Sequence, residues 1–248
     1  MTSLIAAEFL KLRTTRTFYG FLAAIVGLTL LVVILSLAFL DPDEVTDSDV
    51  ESLLTTGVLV GILILVLGVI GMSGEQRHNT ISSTLLVAPD RLRVVGAKAV
   101  AYALAGMVLA AAAFLITAAI VYPTLAAQGV DAGPSAARLA ELVLGGLVYA
   151  GISGALGVGV GAVVPNQVAA VLGAVILLLV IDPVIVGLAP DVGRYTLSAS
   201  GFSLTDGDGD DGGGDDLLSP VLGGLVYLGW ALAFLGAGAA LLRRREIV

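Results

Sequence analysis

The sequence predicts an all-α, polytopic membrane protein with six transmembrane helices and both termini in the cytoplasm, and three observations carry that expectation. The first is composition: 58% of the 248 residues are hydrophobic and only 13% are charged. Soluble domains hold about 45–50% apolar and about 25% charged residues, so no aqueous core could hide this chain's apolar side chains. The second is length, because the apolar residues fall in runs of the about 20 residues that a spanning helix needs. The third is the segregation of Lys and Arg between alternate connecting segments, which sets orientation.

The chain opens with an amphipathic stretch over residues 4–16. Ile5, Phe9 and Leu12 fall at i, i+4 and i+7 on one helical face, and Glu8 and Lys11 flank it. Such a segment suits a helix lying in the cytoplasmic interface, with Lys11, Arg13 and Arg16 near anionic headgroups. The first apolar run, 18–40, exceeds the about 7–15 residues of a signal peptide's apolar region. It is read as a retained first span.

The remaining spans are 53–72, 99–122, 142–164, 168–189 and 217–242. They are far longer than the about 9–11 residues of a barrel strand and lack polar alternation. In lipid, helices satisfy every backbone amide internally. The fifth run carries Asp182-Pro183, and the residue before a proline is biased away from helix. That span is therefore expected to break there, with 184–189 dipping back as a re-entrant piece and Asp182 capping a half-helix.

With the N-terminus inside, the cytoplasmic segments hold Lys11, Arg13, Arg16, Arg77, Arg91, Arg93, Lys98, Arg243, Arg244 and Arg245, and the outer segments hold Arg138 and Arg194. Removing one span would put the Arg243–Arg245 cluster outside. The outer loops carry the acid: Asp41, Asp43, Glu44, Asp47, Asp49 and Glu51 in the first, and Asp206, Asp208, Asp210, Asp211, Asp215 and Asp216 in the last. Surface acidity of this kind fits a halophilic setting, because carboxylates hold hydration and repel one another. There is no soluble domain and no internal repeat, so the chain reads as a single membrane domain over 1–248.

Few residues are suited to chemistry. The absence of cysteine excludes disulfides and thiolate metal sites. Gly151-Ile152-Ser153-Gly154 resembles the Gly-x-Ser-Gly of rhomboid intramembrane proteases, but a serine nucleophile needs a base within reach. The single histidine, His78, lies in a cytoplasmic loop, and the sixth span has none. Small-residue helix packing accounts better for this glycine-rich span. Asp206-Gly-Asp208-Gly-Asp210 opens like a calcium loop but puts Asp211 and Leu217 where an EF-hand needs Gly and Glu, so no metal site is expected. Asp182 is the one carboxylate inside a span, and with Ser153 and Thr117 it marks a candidate polar route for a substrate.

The most informative segment is cytoplasmic and joins the second and third spans. Asn79 is a candidate N-cap; Ile81, Leu85 and Ala88 line one face of a short helix; Pro89 ends it and Asp90 caps the helix leading into the third span. Glu75, Arg77 and His78 lie on its membrane side.

Ala7-Glu8-Phe9-Leu10-Lys11-Leu12-Arg13 with Arg16 ahead of the first span, and Gly74-Glu75-Gln76-Arg77-His78-Asn79-Thr80-Ile81 followed by Leu85-Leu86-Val87-Ala88-Pro89, resemble the ABC-2 type permease subunits of ABC transporters. Six spans with both ends inside complete the likeness. The resemblance implies a plasma-membrane transport subunit, not an enzyme, that works with two copies of a separate ABC ATPase and forms a homodimer, or a heterodimer with a second permease. ATP and Mg would sit on the ATPase, since no Gly-x-x-x-x-Gly-Lys-Ser/Thr phosphate loop occurs here. Export would be the expected direction, with no nucleic-acid partner. Coupling to the ATPase would fall to Glu75, Arg77, His78, Thr80, Ile81 and Leu85. A standalone secondary carrier dependent on Asp182, or an intramembrane enzyme built on Ser153, are the competing readings.

Overall fold

The computed structural model describes residues 2–55, 57–77, 90–206 and 217–244. Every regular element among them is a helix, and six are long and apolar enough to cross a membrane. Helix α1 (Thr2–Thr14) is separated from α2 (Arg16–Phe39) by Thr15, whose extended backbone redirects the chain into the first span. The acidic α3 (Asp47–Leu54) begins with a capping box: Thr46 accepts from the Asp49 amide, and the Asp49 carboxylate accepts from the Thr46 amide at 2.9 Å. It leads into α4 (Gly57–Arg77), the second span.

Asp90 caps α5 (Arg91–Gln128), as the sequence predicts, accepting from the amides of Leu92 at 3.1 Å and Arg93 at 3.4 Å. At 1.5 Å per residue its 38 residues run about 57 Å, well beyond the about 30 Å of hydrocarbon. It therefore extends outside the membrane beyond the expected 99–122. Gly129, at φ 75, ends it in the left-handed conformation that glycine adopts without penalty. Helix α6 (Ala136–Val163), capped by Ser135, also begins earlier than the apolar run, because Arg138 is held by Glu51 at 2.9 Å.

The fifth span corrects an expectation. It runs from α7 (Gln167–Ile176) through a π turn (Leu177–Ile181) into α8 (Asp182–Leu188) without breaking at Asp182-Pro183. The wider π turn absorbs the hydrogen bond that Pro183 cannot make, so Asp182 keeps right-handed helical angles. The break comes later, at Ala189 (φ −144, ψ 73). After it, α9 (Pro190–Gly193) and α10 (Leu197–Asp206) form the re-entrant element, downstream of the predicted 184–189. The last span, α11 (Pro220–Arg244), starts at Pro220 instead of 217, with proline in the first helical turn.

Helix α6 is the centre of the bundle and packs chiefly against α4, α5 and α11. Small residues permit this. A Cβ on Gly157 would strike the Leu65 carbonyl of α4, and one on Gly154 would strike the Tyr102 carbonyl of α5. The apolar windows of α4 and α6 are 67% and 61% buried, whereas those of α2 and the fifth span are only 17% and 22% buried. The latter two therefore present most of their surface outward.

Candidate functional site

At one end of the bundle, α1, the C-terminus of α4, the N-terminus of α5 and the C-terminus of α11 converge. Arg91 donates to the Leu242 carbonyl there, tying α5 to α11. This end also gathers Lys11, Arg13, Arg16, Arg77, Arg93, Lys98 and Arg243. The opposite end carries acidic α3, where Asp47 accepts from the Gly133 amide at 2.7 Å.

The centre of the basic end is a four-residue charge cluster. The Lys98 ammonium, 1% exposed, bonds both Glu8 and Glu75, the latter at 2.9 Å. The Lys11 ammonium bonds the same two carboxylates, Glu8 at 2.6 Å and Glu75 at 2.9 Å. Two cations and two anions thus alternate around one locus and sum to zero. Neutrality matters because taking each ion out of water costs several kcal/mol, which only close, hydrogen-bonded counter-charges offset. At Lys11, burial pulls the ammonium pKa down, but the hydrogen bonds it donates to Glu8 and Glu75, with their negative charge, outweigh it and leave the pKa raised.

The three helices reach this point for local reasons. Glu8 lies on the inward face of α1 beside Leu12, both buried. Lys98 is buried two turns into α5, with its ammonium 5.7 Å from the Tyr102 ring centroid, a cation–π distance. Tyr102 fits there because Gly71 of α4 has no side chain; a Cβ would collide with the Tyr102 hydroxyl.

Of the residues singled out for coupling, Glu75 is in the cluster. Arg77 is exposed, with Nη1 3.4 Å from Gln167 Oε1 at the start of α7. His78, Thr80, Ile81 and Leu85, with the short helix predicted around them, lie outside the described residues. Arg13 and Arg16 are exposed, as expected of headgroup-facing residues, whereas Glu8 is buried in ion pairs. Lys98, read from sequence only as a topology anchor, is the most buried charge among the described residues. Its signal was available: one cation inside the apolar stretch Val94-Val95-Gly96-Ala97-Lys98-Ala99-Val100.

The three residues of the candidate substrate route occupy separate settings. Ser153 donates to the Tyr149 carbonyl at 2.7 Å and lies 2.8 Å from the Tyr227 hydroxyl, beneath the stacked Tyr149 and Tyr227 rings. No base stands beside it among the described residues. Thr117 lines a small, partly open cavity of about 10 Å³ with Thr29 and Phe114, which is room for one water. Asp182, buried, accepts from the Ser198 amide at 2.7 Å. It does cap a helix, but the helix is α10.

Residues 4–181 match the family model described as "ABC-2 family transporter protein". The chain belongs to this ABC-2 transporter family. No curated protein matches it. In this ABC-2 permease the matched region takes in α1 and all four members of the charge cluster, and it stops within the π turn, before Asp182, α10 and α11. The protein is a multi-pass membrane permease of the ABC transporter class, a family that works with ABC ATPases.

Proposed function

We propose that the chain is the membrane-spanning subunit of an ABC exporter in the plasma membrane. It moves its substrate by alternating access and pairs with a second permease copy or a sister permease. ATP and Mg bind two copies of a separate ATPase chain. The basic end faces the cytoplasm, by the positive-inside rule.

The observation that carries this reading is the Glu8–Lys11–Glu75–Lys98 cluster, which joins the interfacial helix to the two helices flanking residues 78–89. A push on that connecting segment is delivered to α4 and α5 together, and through the ion pairs to α1. Because Glu8, Glu75 and Lys98 are largely buried and, with the partly exposed Lys11, sum to zero charge, they cannot separate cheaply, so the three helices tilt as one unit. Glu75 thus acts as an internal strut, and the segment beyond it, with His78, Thr80, Ile81 and Leu85, provides the docking face.

The test is co-expression with the partner ATPase, reconstitution, and measurement of ATP turnover and complex yield. Glu75→Lys is expected to uncouple turnover from transport while the complex still forms, and Glu75→Lys with Lys98→Glu to restore part of the coupling. Normal coupling in both single reversals would overturn the assignment.

A further inference from the structure

Helix α3 is short and amphipathic, and it lies against the ends of other spans. Its residues Val50, Leu53 and Leu54 form one buried cluster with Val33 of α2 and with Phe114 and Val121 of α5. Two of its carboxylates tie it down. Asp47, at its start, accepts from the Gly133 amide in the α5–α6 connection at 2.7 Å. Glu51, one turn on, pairs with Arg138 of α6 at 2.9 Å.

The last residue of α3, Leu54, also lines the small cavity that contains Thr117, with Thr29 of α2, Val60 of α4 and Gly146 of α6 among its other walls. Both threonines are buried, Thr29 at 2% and Thr117 at 3% exposure. The Thr29 hydroxyl has no hydrogen-bond partner among the described residues. A buried hydroxyl without a partner is costly and uncommon in native structures. It has a physical reason if the arrangement that buries it is one of two, and the other gives it water.

The two ends of the bundle are fastened differently. At the basic end the Lys98 ammonium is almost wholly buried, so parting the charge cluster leaves ions out of water. At the acidic end the Glu51 and Arg138 side chains keep 24% and 23% of their exposure, and the Asp47–Gly133 bond is exposed. Water can replace each partner there as it leaves, and ion pairs that solvent reaches contribute little. A tilt of the helices therefore yields first at α3, because the least costly contacts open first.

We infer that α3 is a releasable strap across the acidic end of the bundle. Held by Asp47 and Glu51, it keeps bulk water from Thr29 and Thr117; released from them, it lifts and lets water in. In the transport cycle proposed above this is the outer end. The inference rests on that reading for its side of the membrane and not for the motion.

The chain has no cysteine, so a single introduced thiol reports access. Thr117→Cys, in right-side-out and in inside-out vesicles, is treated with a charged, membrane-impermeant methanethiosulfonate. Reaction is expected to be slow in the otherwise wild-type chain and about tenfold faster from the outer side once Asp47→Ala and Glu51→Ala are added. Ser153→Cys, which lies away from the strap, is expected to stay unreactive in the same background. Equal rates at Thr117→Cys with and without the two alanines would overturn the strap, and so would acceleration at Ser153→Cys, since the whole bundle would then have loosened. Acceleration from the cytoplasmic side alone would overturn the proposed orientation and leave the strap standing. Thr29→Val, similar in shape but without the hydroxyl, checks the resting arrangement without disturbing the strap. Its melting temperature is expected to rise by about 2–4 °C. No rise, or a fall, would show that the hydroxyl is already satisfied under the strap and would overturn the inference.

Discussion

Lys98 and Glu75, 23 residues apart across the connection between the second and third spans, meet at 2.9 Å in a site where the lysine is almost wholly buried. Neither ion would be stable there alone. Their contact therefore fixes the distance between the end of the second span and the start of the third, and it gives Glu8 and Lys11 of the interfacial helix a place to bind.

Removing one member should be costly and replacing the pair less so. Lys98→Met leaves Glu8 and Glu75 sharing the single ammonium of Lys11 and is expected to cost about 3–5 kcal/mol. Adding Glu75→Gln, which leaves Glu8 paired with Lys11 and the cluster neutral again, should recover most of that loss. Melting followed by fluorescence size-exclusion chromatography in one detergent measures both.

The cluster also sets an alkaline limit. The pKa of Lys11 is raised in the fold, so its stabilisation is complete below the ordinary lysine value of about 10.4 and is lost as pH rises through the higher folded value. Wild-type melting temperature should fall above about pH 10.4, where free lysine begins to lose its proton. Lys11→Arg, whose guanidinium stays charged, should flatten the fall. Equal alkaline slopes in the two proteins would remove Lys11 from the account.

Ser153 should behave as a structural hydroxyl. Ser153→Ala leaves the buried Tyr227 hydroxyl without this partner and is expected to cost about 1–3 kcal/mol. Tyr227→Phe should cost less, because Ser153 retains the Tyr149 carbonyl. A serine-reactive probe should not label the wild-type protein.

Asp182 should tolerate loss of charge but not loss of its acceptor. Asp182→Asn can still accept from the Ser198 amide, so transport should persist. Asp182→Leu removes the bond that starts α10 and should cost about 1–3 kcal/mol. Hydrogen exchange at the Ser198 and Ala199 amides reads the difference, and transport lost in Asp182→Asn would restore a proton-coupled role.

Gly71→Ala should displace Tyr102 from the Lys98 ammonium, with an expected cost of about 1–3 kcal/mol from overpacking. The double change Gly71→Ala, Tyr102→Phe should relieve part of that cost, because the clash begins at the hydroxyl. The same melting assay separates the two.

What could be read from sequence followed from periodicity and solvent. Runs of apolar residues at membrane length are helices because lipid offers no partner for a backbone amide, and the segregation of Lys and Arg assigns the ends. Asp90 announces the start of α5 because a short acceptor before an apolar run has one obvious use. The family resemblance likewise rests on residues contiguous in the chain. The local rule about the residue before proline fails at Asp182-Pro183 because it cannot anticipate a π turn one step earlier, which keeps the chain helical through the proline.

The charge cluster belongs to the other class. Glu8, Lys11, Glu75 and Lys98 were each visible as charges near a membrane boundary, and alone each reads as an anchor or a docking group. Only the packing of α1 across α4 and α5 brings them within hydrogen-bond distance and removes most of the water that would otherwise screen Glu8, Glu75 and Lys98. The sequence by itself determined the solvent, the helices and the family, because those depend on the order of apolar and polar residues along the chain. The tertiary structure alone decided which charges are paired, where the re-entrant element lies and what covers Thr29 and Thr117, because those depend on distances between residues far apart in sequence.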